Sequence, residues 1–351
     1  CVPFFIFDTD SAGHTVLWMA LFNGISRVDI DNPFRSYSIG PASRSIYGRG
    51  RSEQITDLDQ FVDYLFVATQ SGLLQRQISS NQTRFRPVRE IREGLNDLEV
   101  IEPSPGVSFL LAAGNQRTFV IDSNMGISTL PAGGRKLLVD LTRPDVIYTG
   151  TDQFRAFRYN QGQWKEFLNV EIDGQIWSMS QDAGGKIWIS TMRDLFRLKP
   201  DADPELVRFE AFPGLFREGL SLFADPESAE LLVGSSEGFL RLDTVLGTLV
   251  YDSVYNKILP PGKNNIRTVY RGDDSLYWFS FENEFSSWNI MSAIRTDSGF
   301  QQVYKRVLDA LSSRFPTGVF YWDSDGKLWF SRASELILFN PRRVSEKQKR
   351  F

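Results

Sequence analysis

The 351 residues exceed what one ordinary core accommodates, and a composition of 42 % hydrophobic and 23 % charged residues is that of a packed globular chain. Thirty-nine basic against 43 acidic side chains give a net charge of −4, which offers no basic field for nucleic-acid phosphates. With one cysteine, Cys1, and one histidine, His14, the chain has no internal disulfide, no Cys/His zinc site and no Cys–His dyad, and no apolar run approaches the roughly 18 residues of a membrane helix.

Cys1 is followed at once by the apolar run Val2–Phe7. A lipidated mature N-terminus usually carries a polar tether after its cysteine, so a segment of a longer protein is the better reading. His14 lies in Ala12-Gly13-His14-Thr15, a turn signal before the run Val16–Trp18, and a Ser-His-Asp triad would have to use it.

From Leu17 onward one unit recurs: an apolar run rich in aromatic and β-branched residues, a small or polar turn often containing Gly, and a second run. The large residue of the first run falls at Trp18, Phe66, Leu110, Tyr148, Trp188, Leu232, Trp278 and Trp329, eight copies with a mean spacing of about 44. Ahead of the anchor lies a further strand-like run, such as Gln175–Ser180 or Ile266–Tyr270, joined to it by a turn such as Asp182-Ala183-Gly184-Gly185 or Asp323-Ser324-Asp325-Gly326. After the second run comes a polar edge strand, for example Phe34–Ser38 or Trp164–Phe167. Four strands per unit predict an all-β fold, a β-propeller with eight blades spanning 1–351 as one domain. The alternative is a seven-bladed ring plus one extra repeat, with residues 1–38 belonging to a preceding propeller. The anchors are expected to pack between blades. Phe300–Arg314 breaks the pattern: apolar positions 300, 303, 304, 307, 308 and 311 predict an amphipathic helix near 300–314, inserted between the last two blades.

The unit Asp182-Ala183-Gly184-Gly185-Lys186-Ile187-Trp188-Ile189-Ser190-Thr191, continued by Leu195-Phe196-Arg197-Leu198, resembles the two-component-regulator propeller repeat. Leu17–Ile30, followed by Asn32-Pro33-Phe34, is similar to the same repeat. The resemblance covers nearly the whole chain, although the copies anchored at Leu110, Tyr148 and Trp278 lack the turn glycine. It implies the extracytoplasmic sensor region of a bacterial histidine kinase or hybrid receptor, on the periplasmic or extracellular face of a membrane. It further implies no catalysis, no cofactor and no metal of its own, downstream receptor domains in a longer chain, and a homodimer formed through the full receptor.

Ligands of propellers gather on the face made by the connections between blades and the turns between middle strands. The candidates there are Arg49, Arg51 and Glu53; Arg92, beside Glu93 and Asn96; Arg117, Arg155, Arg193 and Asp194; Arg217 and Glu218; and Lys263 and Asn264. Arginine forks and carboxylates in that arrangement suit an anionic small molecule or a hydroxyl-rich oligosaccharide. Three other motifs read as structure. Ser180-Gln181-Asp182-Ala183-Gly184 approximates the Asp-box turn of sialidase-type propellers, Asp323–Gly326 lacks the remaining ligands of a calcium loop, and Glu282 with Glu284 fits an exposed hairpin. The competing functions are a glycan-active hydrolase or lyase working through carboxylates, and a structural interaction platform.

Overall fold

The computed structural model describes residues 5–9, 15–21, 24–29, 32–39, 54–79, 84–192, 194–200, 204–209, 220–224, 231–243, 248–272, 276–296, 299–311, 318–332 and 335–344. From Ile55 onward the apolar runs pair with their sequence neighbours into four-stranded antiparallel sheets, each made of an inner, second, third and outer strand. Blade 1 comprises Ile55–Phe61, Tyr64–Thr69, Gly72–Gln77 and Arg86–Pro87; blade 2, Leu95–Ser104, Val107–Gly114, Thr118–Asp122 and Ile127–Leu130. Blade 3 comprises Lys136–Val139, Val146–Gly150, Gln153–Asn160 and Gln163–Glu171; blade 4, Ile176–Gln181, Ile187–Thr191, Leu195–Lys199 and Glu205–Phe209. Blade 5 comprises Ser221–Ala224, Leu231–Ser235, Gly238–Asp243 and Thr248–Tyr251; blade 6, Asn264–Arg271, Leu276–Asn283, Trp288–Thr296 and Gly299–Val303.

Blade 7 corrects the expected blade count. Its first three strands are Phe320–Trp322, Leu328–Arg332 and Glu335–Phe339, and its outer strand is Phe34–Ser38, paired from Phe34 opposite Phe339 to Ser38 opposite Glu335. The ring therefore has seven blades, not eight. The first repeat is divided: its strands Phe5–Thr9, Thr15–Leu21 and Gly24–Asp29 make a separate three-stranded sheet, while its edge strand closes the ring. The physical reason lies in what Phe34–Ser38 can bury. Phe34 stacks on Phe339 at 5.0 Å, Tyr37 meets Trp329 at 5.1 Å, and the pairing gives the last blade its fourth strand.

Seven apolar clusters, one at each interface between successive blades, hold the ring together. Phe66 and Leu110 meet between blades 1 and 2, Trp188 packs against Val233 and Leu240 between blades 4 and 5, and Trp278 lies with Phe330 and Phe339 between blades 6 and 7. Trp329 closes the circle against Ile55 and Val67. The seven anchors from Phe66 to Trp329 thus do pack between blades, each large side chain contributing about 2–3 kcal/mol by burial.

The helix expected near 300–314 is mostly absent. Gly299–Val303 is the outer strand of blade 6, where Phe300 lies 4.5 Å from Tyr255 and 5.2 Å from Tyr277. Among the described residues of this stretch, Lys305–Leu308 alone is α-helical, continued by a 3₁₀ turn at Asp309–Leu311. Tyr304, with φ of 56°, separates strand from helix, so the apolar spacing read as one helix is shared between two elements.

Candidate functional site

The chain enters each inner strand from an interblade connection, so connections and second-to-third-strand turns share one face, and the start of each inner strand marks the channel mouth there. In four blades the register shifts near the start of that strand, at its second residue in blades 1, 2 and 4 and at its fourth in blade 6, leaving Thr56, Asn96, Trp177 and Arg267 as bulged residues. A bulge re-aims the side chain it carries. Thr56 Oγ1 donates to the Leu95 carbonyl of the next blade at 2.9 Å, and Asn96 Nδ2 donates to Gly134 O at 3.0 Å and Asn115 Oδ1 at 2.9 Å. The Arg135 guanidinium lies 4.0 Å from the Trp177 ring centre, and its Nη1 donates to Gln175 Oε1 at 3.3 Å. Arg267 sits 5.6 Å over Trp288, with Glu282 3.9 Å away. Burial lowers the pKa of both arginines from the usual guanidinium value.

Below the mouth the channel wall changes character around the ring. In blades 1 to 3 it carries Asp57, Asp59, Asp97, Glu99 and Lys136. Asp57 Oδ2 accepts from the backbone N–H of Leu98 at 2.8 Å, and Asp97 Oδ2 accepts from that of Leu137 at 2.7 Å. Lys136 Nζ donates to Asp97 Oδ1 at 2.6 Å. Burial, reinforced by Asp97, raises the Asp57 and Glu99 carboxyls well above the usual range, and burial pushes Asp59 up to about 6. Burial alone would lower Lys136, but Asp97 and Asp57 overcome it and raise its pKa, keeping it protonated. Among the described residues no set of three or more His, Cys, Asp or Glu side chains has metal-binding geometry.

The described residues among those expected from sequence fall into several local groups. Arg117 pairs with Glu93 at 3.5 Å beside Asn96, and Lys263 pairs with Glu237 at 2.8 Å. Buried Asp194 accepts from Arg208 Nη2 at 2.8 Å, while Arg208 Nη1 also reaches Asp173. Asn264 is buried, its Nδ2 donating to Pro260 O and Gly262 O and its Oδ1 without a partner. Arg155 lies on the third strand of blade 3, donating to Gln153 Oε1 at 2.6 Å and lying 3.7 Å from Glu166; Arg92 donates to Arg89 O. Arg49, Arg51, Glu53, Arg193, Arg217, Glu218 and His14 lie outside the described residues.

Sequence reasoning missed Trp177, Arg135, Arg267 and the channel carboxylates. In blades 1, 2 and 4 the available signal was a polar or aromatic residue directly after the apolar residue that opens the inner strand. The Asp-centred turns are structural, as expected: Asp182 Oδ2 accepts from Trp188 Nε1 and Asp323 Oδ2 from Trp329 Nε1, both at 2.9 Å. Of the two glutamates expected on an exposed hairpin, Glu284 is exposed, whereas Glu282 is half-buried and faces Arg267 across blade 6.

No protein-family model and no curated protein matches the sequence. Solved structures do. The extracellular domain of the putative hybrid two-component system BT3049 from B. thetaiotaomicron superposes with a TM-score of 0.65 at 14 % identity, over 96 % of this chain and 45 % of that one. The chain shares that domain's propeller fold. It spans less than half of the domain's length. A catalytically inactive variant of virginiamycin B lyase from Staphylococcus aureus, solved with quinupristin, superposes at a TM-score of 0.57 and 9 % identity, over 88 % of this chain and 99 % of that one. A streptogramin B lyase gives 0.56 at 13 % identity, over 88 % and 97 %.

Proposed function

We propose that the chain is a non-catalytic, ligand-sensing propeller from the extracytoplasmic side of a bacterial signal-transduction receptor, with output domains elsewhere in a longer polypeptide. The observation that carries this reading is the platform at the channel mouth, where the Arg135 guanidinium stacks on Trp177 and is flanked by Gln175, Asn96 and Asn115. An aromatic face beside amides and a guanidinium recognises a sugar ring by apolar contact and its hydroxyl or acidic substituents by hydrogen bonds. Support comes also from the repeat resemblance and from the shared fold with the receptor domain. In this reading the receptor dimerises, and the separate three-stranded sheet receives its missing outer strand from another segment of it.

The lyase reading rests on fold likeness alone. The lyase solved with quinupristin is catalytically inactive when one histidine is replaced by alanine, whereas the single histidine here, His14, precedes the ring in sequence. Calorimetry on a panel of neutral, acidic and sulfated oligosaccharides tests the proposal. Trp177→Ala and Arg135→Ala are each expected to weaken the bound member about tenfold, equivalent to about 1.4 kcal/mol, with little change in melting temperature. Recovery of cleaved glycan after incubation would sink the non-catalytic assignment, and unchanged binding in both variants would move the site away from the channel mouth.

A further inference from the structure

A second cleft lies on the outer side of the ring, between blades 1 and 2 and separate from the channel mouth. Its origin is the shortest outer strand in the ring: Arg86–Pro87 covers only Leu74 and Gln75 of the third strand. The uncovered space is a cleft of about 600 Å³ with Phe66, Val88, Ile121 and Ile127 on its apolar walls, within the size range of ligand sites. Met125, held at φ of 65°, lines one end.

The rim is basic in an otherwise acidic protein. Arg89 lines the cleft, and Arg86 is the cross-strand partner of the lining residue Gln75, so both side chains leave the same face of the sheet. Arg84 precedes them, and all three arginines are exposed. Among the described residues, their side chains make no hydrogen bond or ion pair, in contrast to Arg117, Arg155, Arg158 and Arg208, each of which has a carboxylate partner. Glu90 is the acidic member of the rim, outnumbered by the arginines.

An apolar floor under exposed, uncommitted guanidinium groups has a definite complement. We infer that this cleft is a docking site for an acidic polypeptide segment that inserts one bulky apolar side chain between blades 1 and 2. The floor favours a peptide over a sulfated glycan, which has charge but no apolar anchor. The arginines set orientation and encounter rate, and the buried anchor sets residence time.

The probe is a fluorescent peptide of Asp and Glu with one central Trp, titrated against the 351-residue chain by anisotropy at low ionic strength. Binding is expected to weaken about tenfold when Arg86→Glu and Arg89→Glu are combined, and by a similar factor when the peptide's Trp is replaced by Gly. Both substituted positions are exposed, and an unchanged circular-dichroism melt certifies the fold of the double variant. The inference is overturned by absence of binding, by equal binding of the Gly peptide, by a double variant that binds like the parent, or by a sulfated oligosaccharide that displaces the peptide and binds more tightly. The oligosaccharide variants at the channel mouth report on a different site, so either proposal can fail alone.

Discussion

In blades 1 and 2 the side chain that reaches from one inner strand to the next is a carboxylate, Asp57 or Asp97, whereas in blades 4 to 6 the same register position holds a hydroxyl, Ser178, Ser221 or Thr268. The connections are alike in form. Ser178 Oγ accepts from Leu222 N–H at 3.2 Å, as Asp57 and Asp97 accept from Leu98 and Leu137, while Ser221 and Thr268 donate to the Arg267 and Gly318 carbonyls at 2.6 Å. A hydroxyl is therefore enough to tie neighbouring blades. The charge in blades 1 to 3 is an addition, and its consequence is electrostatic: four carboxyls share a wall with one lysine, and burial raises three of them.

The strongest test of this contrast is Asp97→Ala. It removes the bond to Leu137 N–H and the partner of Lys136, and is expected to cost about 3 kcal/mol, because each charge-assisted bond contributes about 1.5–3 kcal/mol. Part of the loss is offset because repulsion on Asp57 and Glu99 is relieved. Chemical denaturation near pH 7 measures it. A cost no larger than that of removing a hydroxyl from blade 4 would show that the carboxylate ties are not distinct.

The sequence carried the repeat, the strand order within a blade and the Asp-to-indole turns, because these depend on local spacing: Asp182 and Trp188, or Asp323 and Trp329, are six residues apart and meet within one hairpin. Closure was not legible in the same way. Phe34–Ser38 has the pattern of an outer strand whichever sheet accepts it, and the choice depends on Phe339 and Trp329, some 300 residues away. The site was less legible still. An inserted residue at Thr56, Asn96, Trp177 or Arg267 leaves the apolar pattern of its strand intact, so the bulge that re-aims it is visible only in the pairing register. The alternation Ile55-Thr56-Asp57-Leu58-Asp59 does place two acids on one face of a strand, a signal for the channel wall that composition alone conceals.

The next test uses pH. Asp59 has its carboxyl raised to about 6 by burial, against about 3.9 in an unfolded chain, so between those values the folded state binds more protons. Stability contributed by this group falls as pH rises from about 4 to about 6. Asp57 and Glu99 act with the same sign and extend the decline upward, whereas Asp140, held below the usual range by bonds from Arg143 and Tyr148 that outweigh its burial, loses stability only as pH falls. Asp59→Asn removes one contributor. Relative to the parent, the variant is expected to gain about 2 kcal/mol between pH 4 and pH 7, measured by denaturant midpoints at each pH. Parallel profiles for the two proteins would place Asp59 outside the electrostatic cluster.

The smallest expected effect defines the other side of the comparison. Ser178→Ala removes the acceptor of Leu222 N–H in blade 4 without touching a charged group, and Ser178 itself is only partly buried. The orphaned N–H belongs to the inner strand of blade 5, whose pairing with Val233 in the second strand is retained. A neutral bond of this kind contributes about 1 kcal/mol net, so the variant is expected to lose about that much. The loss should be the same at pH 5 and pH 8, because no group in that part of the wall changes its protonation with the substitution. A cost that varies with pH would mean that proton binding in blades 1 to 3 is coupled around the ring to blade 4, through the inner strands that each side chain ties to the next.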